Sequence, residues 1–333
     1  MLSETVSTSV QATAAPSQPG EPQLSVVIPL YNEAATIDEL YRRLTEVLTH
    51  LGRSYEIIMV DDGSRDATFG ALDQIARSDP HVRALRFSRN FGHHIAITAG
   101  LDQAAGEYVI LMDGDLQHRP EDIPRFIATL EEGGFDVVAG IRSPHQIPAL
   151  KRWTSSLFNG IMQRLTRDAI DIDSNIYRIM RRKVVHSFLR CRERSRFVTG
   201  LFGWVGFKRG EIAIDLDPRH AGASSYSVRR MLRLAANSIT SFSYFPLELS
   251  SYLGFVISFL SFAYGLFLIG RKLVLNTAVE GWTSLSCTIF FVGGVQLMML
   301  GVIGSYLGRV YTEVQGRPLY IVDEARNLRH TEP

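Results

Sequence analysis

A chain of 333 residues, 46% of them hydrophobic, is long enough for a sizeable core and for more than one structural unit. Its formal net charge of +1 supplies no whole-chain basic field, which excludes nucleic acid as the expected partner. Two cysteines, Cys191 and Cys287, are too few for a disulfide framework and read as reduced structural residues.

Residues 1–22 are rich in Ser, Thr, Ala, Gln and Pro and lack the basic and apolar regions of a signal peptide, so they read as a disordered tail. From Leu24 the signals alternate. LSVVIPL, EIIMVDD, VRALRF, YVILMD and FDVVAG read as strands, with amphipathic helices such as Ala35 to Leu51 and Ala67 to Ser78 between them. Alternation of this kind predicts an α/β domain over residues 23–226, with a mostly parallel sheet covered by helices on both faces. Neither a glycine-rich dinucleotide fingerprint nor a Walker A loop is present.

Residues 227–246 include SVRRMLRLAANSITSFS, in which Met231, Leu232, Leu234, Ala235 and Ile239 can share a face opposite the arginines. This pattern predicts an amphipathic helix lying in the membrane interface; packing on the α/β domain is the alternative. Over residues 247–310, uncharged apolar runs from Leu249 to Gly270 and from Trp282 to Gly308 each reach the length of about 20 residues needed to cross a bilayer. Arg229, Arg230 and Arg233 precede the first run, and Arg309, Arg317, Arg326 and Arg329 follow the second. The positive-inside rule then makes the chain integral to the cytoplasmic membrane, with the α/β domain and the tail, residues 311–333, in the cytoplasm.

Three predicted strands end in polar clusters: PLYNE at Pro29 to Glu33, VDDGSRD at Val60 to Asp66, and DGDLQ at Asp113 to Gln117. In open α/β sheets ligands bind outside the carboxyl ends of the strands, so these clusters are expected to converge. Asp113 and Asp115, at i and i+2 of an extended segment, point the same way. Their hard oxygens suit Mg²⁺ or Mn²⁺ shared with substrate phosphates. A polar turn, with Glu121 and Asp122 placing negative charge at the next helix start, is the plain alternative.

PLYNE, VDDGSRDAT, SRNFGHHIAITAGLD, MDGDLQ and RFVTGLFGWVGFKR resemble glycosyltransferase family 2, in particular its membrane-anchored polyprenyl-phosphate glycosyltransferases. The resemblance runs from about Leu24 to the tail. It implies a GT-A fold, a nucleotide-sugar donor and a polyprenyl phosphate acceptor, with UDP and undecaprenyl phosphate favoured, and it leaves homo-oligomerisation open. By residue, it assigns Pro29, Tyr31, Glu33 and Asp61 to the nucleoside, Asp113 to the ribose and metal, and Asp115 and Gln117 to the metal. Arg219 would hold the donor diphosphate, and Arg142, Lys151, Arg152 and Ser156 the acceptor phosphate. Without the resemblance, Arg219 reads as a loop salt bridge and KRW as a solvated basic patch; the His93–His94 pair either touches donor phosphates or is structural, the second being the commoner case for a helix start.

Two positions depart from the family pattern. SNIYRIM stands where G-D-F-R-L is common, so Ile176 replaces an aspartate whose role is either lost here or moved to Asp173, and Ser225 stands where lysine is common. The implied reaction is inverting sugar transfer to the lipid phosphate. Transfer to a glycan hydroxyl is the enzymatic alternative, although the Q-x-x-R-W element of processive synthases is absent. A silent nucleotide-sugar-binding membrane adaptor is the non-enzymatic one.

Overall fold

The computed structural model describes residues 21–142, 176–194, 196, 198–217, 245–275 and 281–328. In chain order the elements are β1 (Leu24–Leu30), α1 (Ile37–His50), β2 (Tyr55–Asp61), α2 (Thr68–Ser78), β3 (Val82–Phe87), α3 (His93–Gln103), β4 (Tyr108–Leu111), α4 (Ile123–Glu132) and β5 (Val137–Arg142). They continue with β6 (Arg178–Arg181), α5 (Arg182–Leu189), α6 (Val198–Trp204), β7 (Arg209–Ile214), α7 (Phe245–Leu275), α8 (Trp282–Val314) and β8 (Val322–Arg326). The predicted strands and the predicted helices α1 and α2 are all present, with ends displaced by a few residues.

One eight-stranded sheet runs β7-β5-β6-β4-β1-β2-β3-β8. β4, β1, β2 and β3 are mutually parallel, as are β5 and β7, while β6 and β8 enter antiparallel. The side-chain period of two divides β1 between two cores. Leu24, Val26, Ile28 and Leu30 pack with α1, α2 and α4; Val27 packs on the other face with α3, α5 and α6. α1 buries Ile37, Leu40, Leu44 and Leu48, the stripe its amphipathic spacing predicts, and each such side chain contributes about 1.5–3 kcal/mol.

The amino edge of the sheet is closed by a buried polar knot. The Ser25 hydroxyl and the Ala105 amide donate to Glu56 Oε1 at 2.5 and 2.8 Å, and Arg83 pairs with Glu56 Oε2 at 2.5 Å. The carboxyl edge is different. β4 pairs with β1 only as far as Val27–Leu111, so Pro29, whose nitrogen faces the same neighbour as that of Val27, meets no ladder that needs an N–H. Beyond it the two strands part, and the crevice between them holds the polar clusters.

α7 and α8 are longer than the apolar runs that predicted them and carry two candidate spans, Leu249–Phe267 and Phe291–Val314, with none of either window buried. Phe255 is 73% exposed and Leu297 72%. A core helix would bury such side chains; here they stand exposed, on helices long and apolar enough to cross a bilayer. After α8 the chain returns to the α/β domain, where β8 pairs with β3. The segment predicted as an interfacial helix, residues 227–246, lies almost wholly outside the described residues.

Candidate active site

The site is built on the carboxyl ends of β1, β2 and β4, which are neighbours in the sheet. Pro29 is buried in β1, while Tyr31 and Glu33 follow on the exposed turn. Asn32 at the centre of that turn has a φ of 56°. Its N–H donates to the Ser64 hydroxyl at 2.9 Å and its side-chain oxygen accepts the Arg65 N–H at 2.9 Å, binding the β1 turn to the β2 turn. The Thr36 hydroxyl, at the start of α1, contacts the Glu33 and Gly114 carbonyls at 3.0 and 3.1 Å, tying the β1 turn to the DGD segment. The three predicted polar clusters are therefore one hydrogen-bonded unit.

The two aspartates after β2 do different work. Asp61 is fully buried; its Oδ1 accepts the Ser64 N–H at 2.9 Å, whereas its Oδ2 is buried without a hydrogen-bond partner, 3.7 Å from Arg86 Nε. Burial pushes the Asp61 carboxyl up from its ordinary range, against the opposing pull of Ser64 and Arg86. Asp62 turns away and receives the Phe91 N–H at 2.7 Å and the Gly92 N–H at 2.9 Å. Burial raises this carboxyl too. Gly63 follows them with a φ of 66°, and a Cβ there would stand 2.5 Å from the Arg89 carbonyl carbon. The VDDG turn thus clamps the RNFGH loop and fixes the start of α3. Asp62→Ala strands two amide donors and is expected to cost about 1–3 kcal/mol in chemical denaturation.

After β4, Gly114 packs so closely on Leu30 that a Cβ would overlap its Cδ2. Asp113 and Asp115 flank it. The Asp113 amide donates to His118 Nδ1 at 2.9 Å, which leaves the ring proton on Nε2. His118 is buried and stacks on Tyr177 with centroids 4.9 Å apart. Asp113 Oδ1 is buried without a hydrogen-bond partner, and His93 Nε2 at the start of α3 is 3.4 Å from it. Asp115 accepts the Gln117 backbone N–H at 3.1 Å and the Gln117 side-chain amide. Gln117 therefore orients Asp115.

This donor set fits a divalent ion in part. Asp113 offers a carboxylate oxygen that no hydrogen bond consumes, Asp115 lies two residues on, and both are partly exposed at the crevice. Among the described residues, no group of three or more His, Cys, Asp or Glu could cage an ion alone. An ion here would complete its shell with water and phosphate oxygens, as Mg²⁺ does.

Arg142 ends β5, on the same edge of the sheet. The chain leaving β7 comes back to the DGDLQ loop: the Asp217 amide donates to the Gln117 carbonyl at 3.1 Å, and Arg119 Nε donates to Asp217 at 2.8 Å. Arg219 follows two residues later, outside the described residues, as do Lys151, Arg152, Ser156, Asp173 and Ser225. Ile176 is described and its carbonyl accepts from Arg178 at 3.3 Å. Thr36, Asp62 and His118 were not singled out from the sequence, because each acts on backbone groups brought close only by folding.

A family described as Glycosyl transferase family 2 matches residues 25–189. An uncharacterized glycosyltransferase of Synechocystis sp. is 42% identical over 309 residues, 92% of this chain and 97% of that protein. The undecaprenyl-phosphate 4-deoxy-4-formamido-L-arabinose transferase of Pseudomonas aeruginosa is 39% identical over 90% of this chain and 89% of its own. The SfII prophage-derived bactoprenol glucosyl transferase of Shigella flexneri is 38% identical over 91% of this chain and 98% of its own.

Proposed function

This chain belongs to glycosyltransferase family 2, and from that premise we propose that it moves a sugar from a nucleotide-sugar to a polyprenyl phosphate at the cytoplasmic face of a membrane. UDP-sugars and undecaprenyl phosphate are the favoured pair. The observation that carries the reading is a GT-A sheet with Asp61, Asp113 and Asp115 on its carboxyl edge, in a chain that also carries two exposed apolar helices. Two relatives that align with it nearly end to end are named for transfer to undecaprenyl phosphate and bactoprenol.

In the proposed reaction an oxygen of the lipid phosphate attacks the anomeric carbon from the face opposite the nucleotide. The bond to the diphosphate breaks, the nucleoside diphosphate leaves with the electron pair, and the configuration inverts. A phosphate monoester with a second pKa of about 6 is largely dianionic at pH 7, so no strong base is required. The residues instead have to seat two phosphates and stabilise the leaving one. Asp113 and Asp115, with Gln117 orienting the latter, would hold Mg²⁺ or Mn²⁺, which supplies Lewis-acid charge to the diphosphate. Pro29, Tyr31, Glu33 and Asp61 line the nucleoside side, and Arg219 is assigned to the diphosphate.

Arg142, Lys151, Arg152 and Ser156 are assigned to the acceptor phosphate, and Asp173 to orienting sugar or acceptor. Arg142→Ala is expected to raise KM for polyprenyl phosphate about tenfold while the donor KM moves less than about twofold, since a charge-assisted phosphate contact is lost on one substrate only. Equal changes would remove Arg142 from the acceptor site.

The test of the function is incubation of the purified chain with radiolabelled nucleotide-sugars and polyprenyl phosphate. Label extracted into organic solvent supports the proposal. Label in polymer points to a hydroxyl acceptor, and binding without turnover to a silent adaptor.

A further inference from the structure

We propose that the strand following the second apolar helix is a working part of the donor site: Glu324 on β8 positions Arg86 against Asp61, so the tail governs how tightly the nucleotide is held. The proposal rests on the reading of Asp61 as a nucleoside contact. Arg86 and Glu324 are direct cross-strand partners in the antiparallel β3–β8 pair. Arg86 Nη1 donates to Glu324 Oε1 at 3.2 Å, while Nε of the same guanidinium is 3.7 Å from Asp61 Oδ2. One arginine thus spans an acid inside the site and an acid on the tail. Its guanidinium carbon lies over the Phe69 ring, 5.2 Å from the centroid.

The arrangement has a chemical consequence at Asp61. That side chain is fully buried, and its Oδ2 lacks a hydrogen-bond partner. A buried carboxylate without compensation is costly, and among the described residues Arg86 is the cation in its ion-pair range. With side-chain exposures of 34% for Arg86 and 40% for Glu324, the arginine has room to swing into solvent when Glu324 is removed. Asp61 then loses positive charge beside it and becomes a poorer acceptor for a nucleoside N–H or O–H.

The tail is held to the domain by other contacts that leave Arg86 alone. The Ser88 N–H donates to the Ile321 carbonyl at 3.1 Å, and Tyr320 stacks on Phe87 with centroids 5.1 Å apart. The Asn327 side chain donates to the carbonyls of Ala76 and Val82 at 2.6 and 2.8 Å. Anchoring and positioning can therefore be separated by mutation.

The experiment titrates the full chain in detergent with UDP and with GDP in the presence of Mg²⁺, for wild type, Glu324→Ala, Glu324→Asp, Asn327→Ala and Asp61→Asn. Glu324→Ala is expected to weaken the better nucleotide about three- to fivefold, the scale of a partly exposed ion pair. Glu324→Asp should restore most of the loss. Asn327→Ala should lower Tm yet leave nucleotide affinity within about twofold, because it loosens the strand without touching the arginine. Affinity unchanged in Glu324→Ala but reduced in Asp61→Asn overturns the inference and spares the site; so does an Asn327→Ala loss equal to that of Glu324→Ala. Affinity unchanged in Asp61→Asn, or no binding of either nucleotide by wild type, overturns the inference together with the reading it rests on.

Discussion

Asp115→Ala is expected to reduce sugar transfer by about a thousandfold or more while the chain stays folded and membrane-bound, the loss typical of removing a preorganised group from a developing charge. The structure separates these two consequences. Asp115 lies on a partly exposed turn beyond β4, and its hydrogen bonds go to Gln117, its near neighbour, rather than into the core. Losing them costs about 1 kcal/mol, within the tolerance of a folded domain. The chemical loss is larger, because a carboxylate disappears from the edge where three strand ends meet. Initial rates with labelled donor measure the first effect and a thermal melt in detergent the second. Near-normal turnover in the variant would remove Asp115 from the chemistry; a collapsed melt would show instead that the turn is structural.

The parts of this molecule visible in its sequence are those set by composition along one segment. LSVVIPL and YVILMD are continuous apolar runs because β1 and β4 lie inside the sheet, and the polar clusters that follow them form the candidate site. The two long helices were visible for the same reason. β8 was not. VDEAR carries three charges in five residues, and it belongs to the sheet through backbone pairing on one edge and charge pairs with its neighbour, which no apolar alternation records. β6 is similarly hidden: RIMR has only two apolar residues, yet it inserts between β4 and β5, and its direction follows from pairing partners distant in sequence.

The same division runs through the site. Asp113 and Asp115 stand out by their spacing, and Asp61 and Arg142 by the family resemblance; the roles of all four are proposals. Asp62 could not be separated from Asp61, because what distinguishes them is the RNFGH loop, about 30 residues away, whose amides one of them satisfies. His118 is a lone histidine in sequence; only the Tyr177 ring stacked on it and the Asp113 amide pointing at it give it a role. Roles that depend on a second chain segment become legible only when that segment is in place.

Stability is expected to fall steeply with acid between about pH 6.5 and pH 4, and His94→Gln is expected to flatten that slope. Although His94 is partly exposed as a residue, its Nδ1 is sealed from solvent, and burial, with a lesser contribution from neighbouring His93, pushes the imidazole down from 6.5 to about 4. In the unfolded chain the ring takes a proton near its ordinary pKa; in the folded chain it resists until the pH is far lower. The unfolded state therefore binds more protons throughout that window, and unfolding becomes easier as pH falls. Above the unfolded pKa the effect is absent. Complete development of the difference corresponds to up to about 3 kcal/mol, a large share of the stability of an ordinary domain. Denaturant midpoints of wild type and His94→Gln in detergent, taken in half-unit steps from pH 7.5 to pH 4, would measure it. Parallel pH dependence in the two proteins would mean that the buried nitrogen titrates as it does in water and that the start of α3 opens more readily than its packing implies.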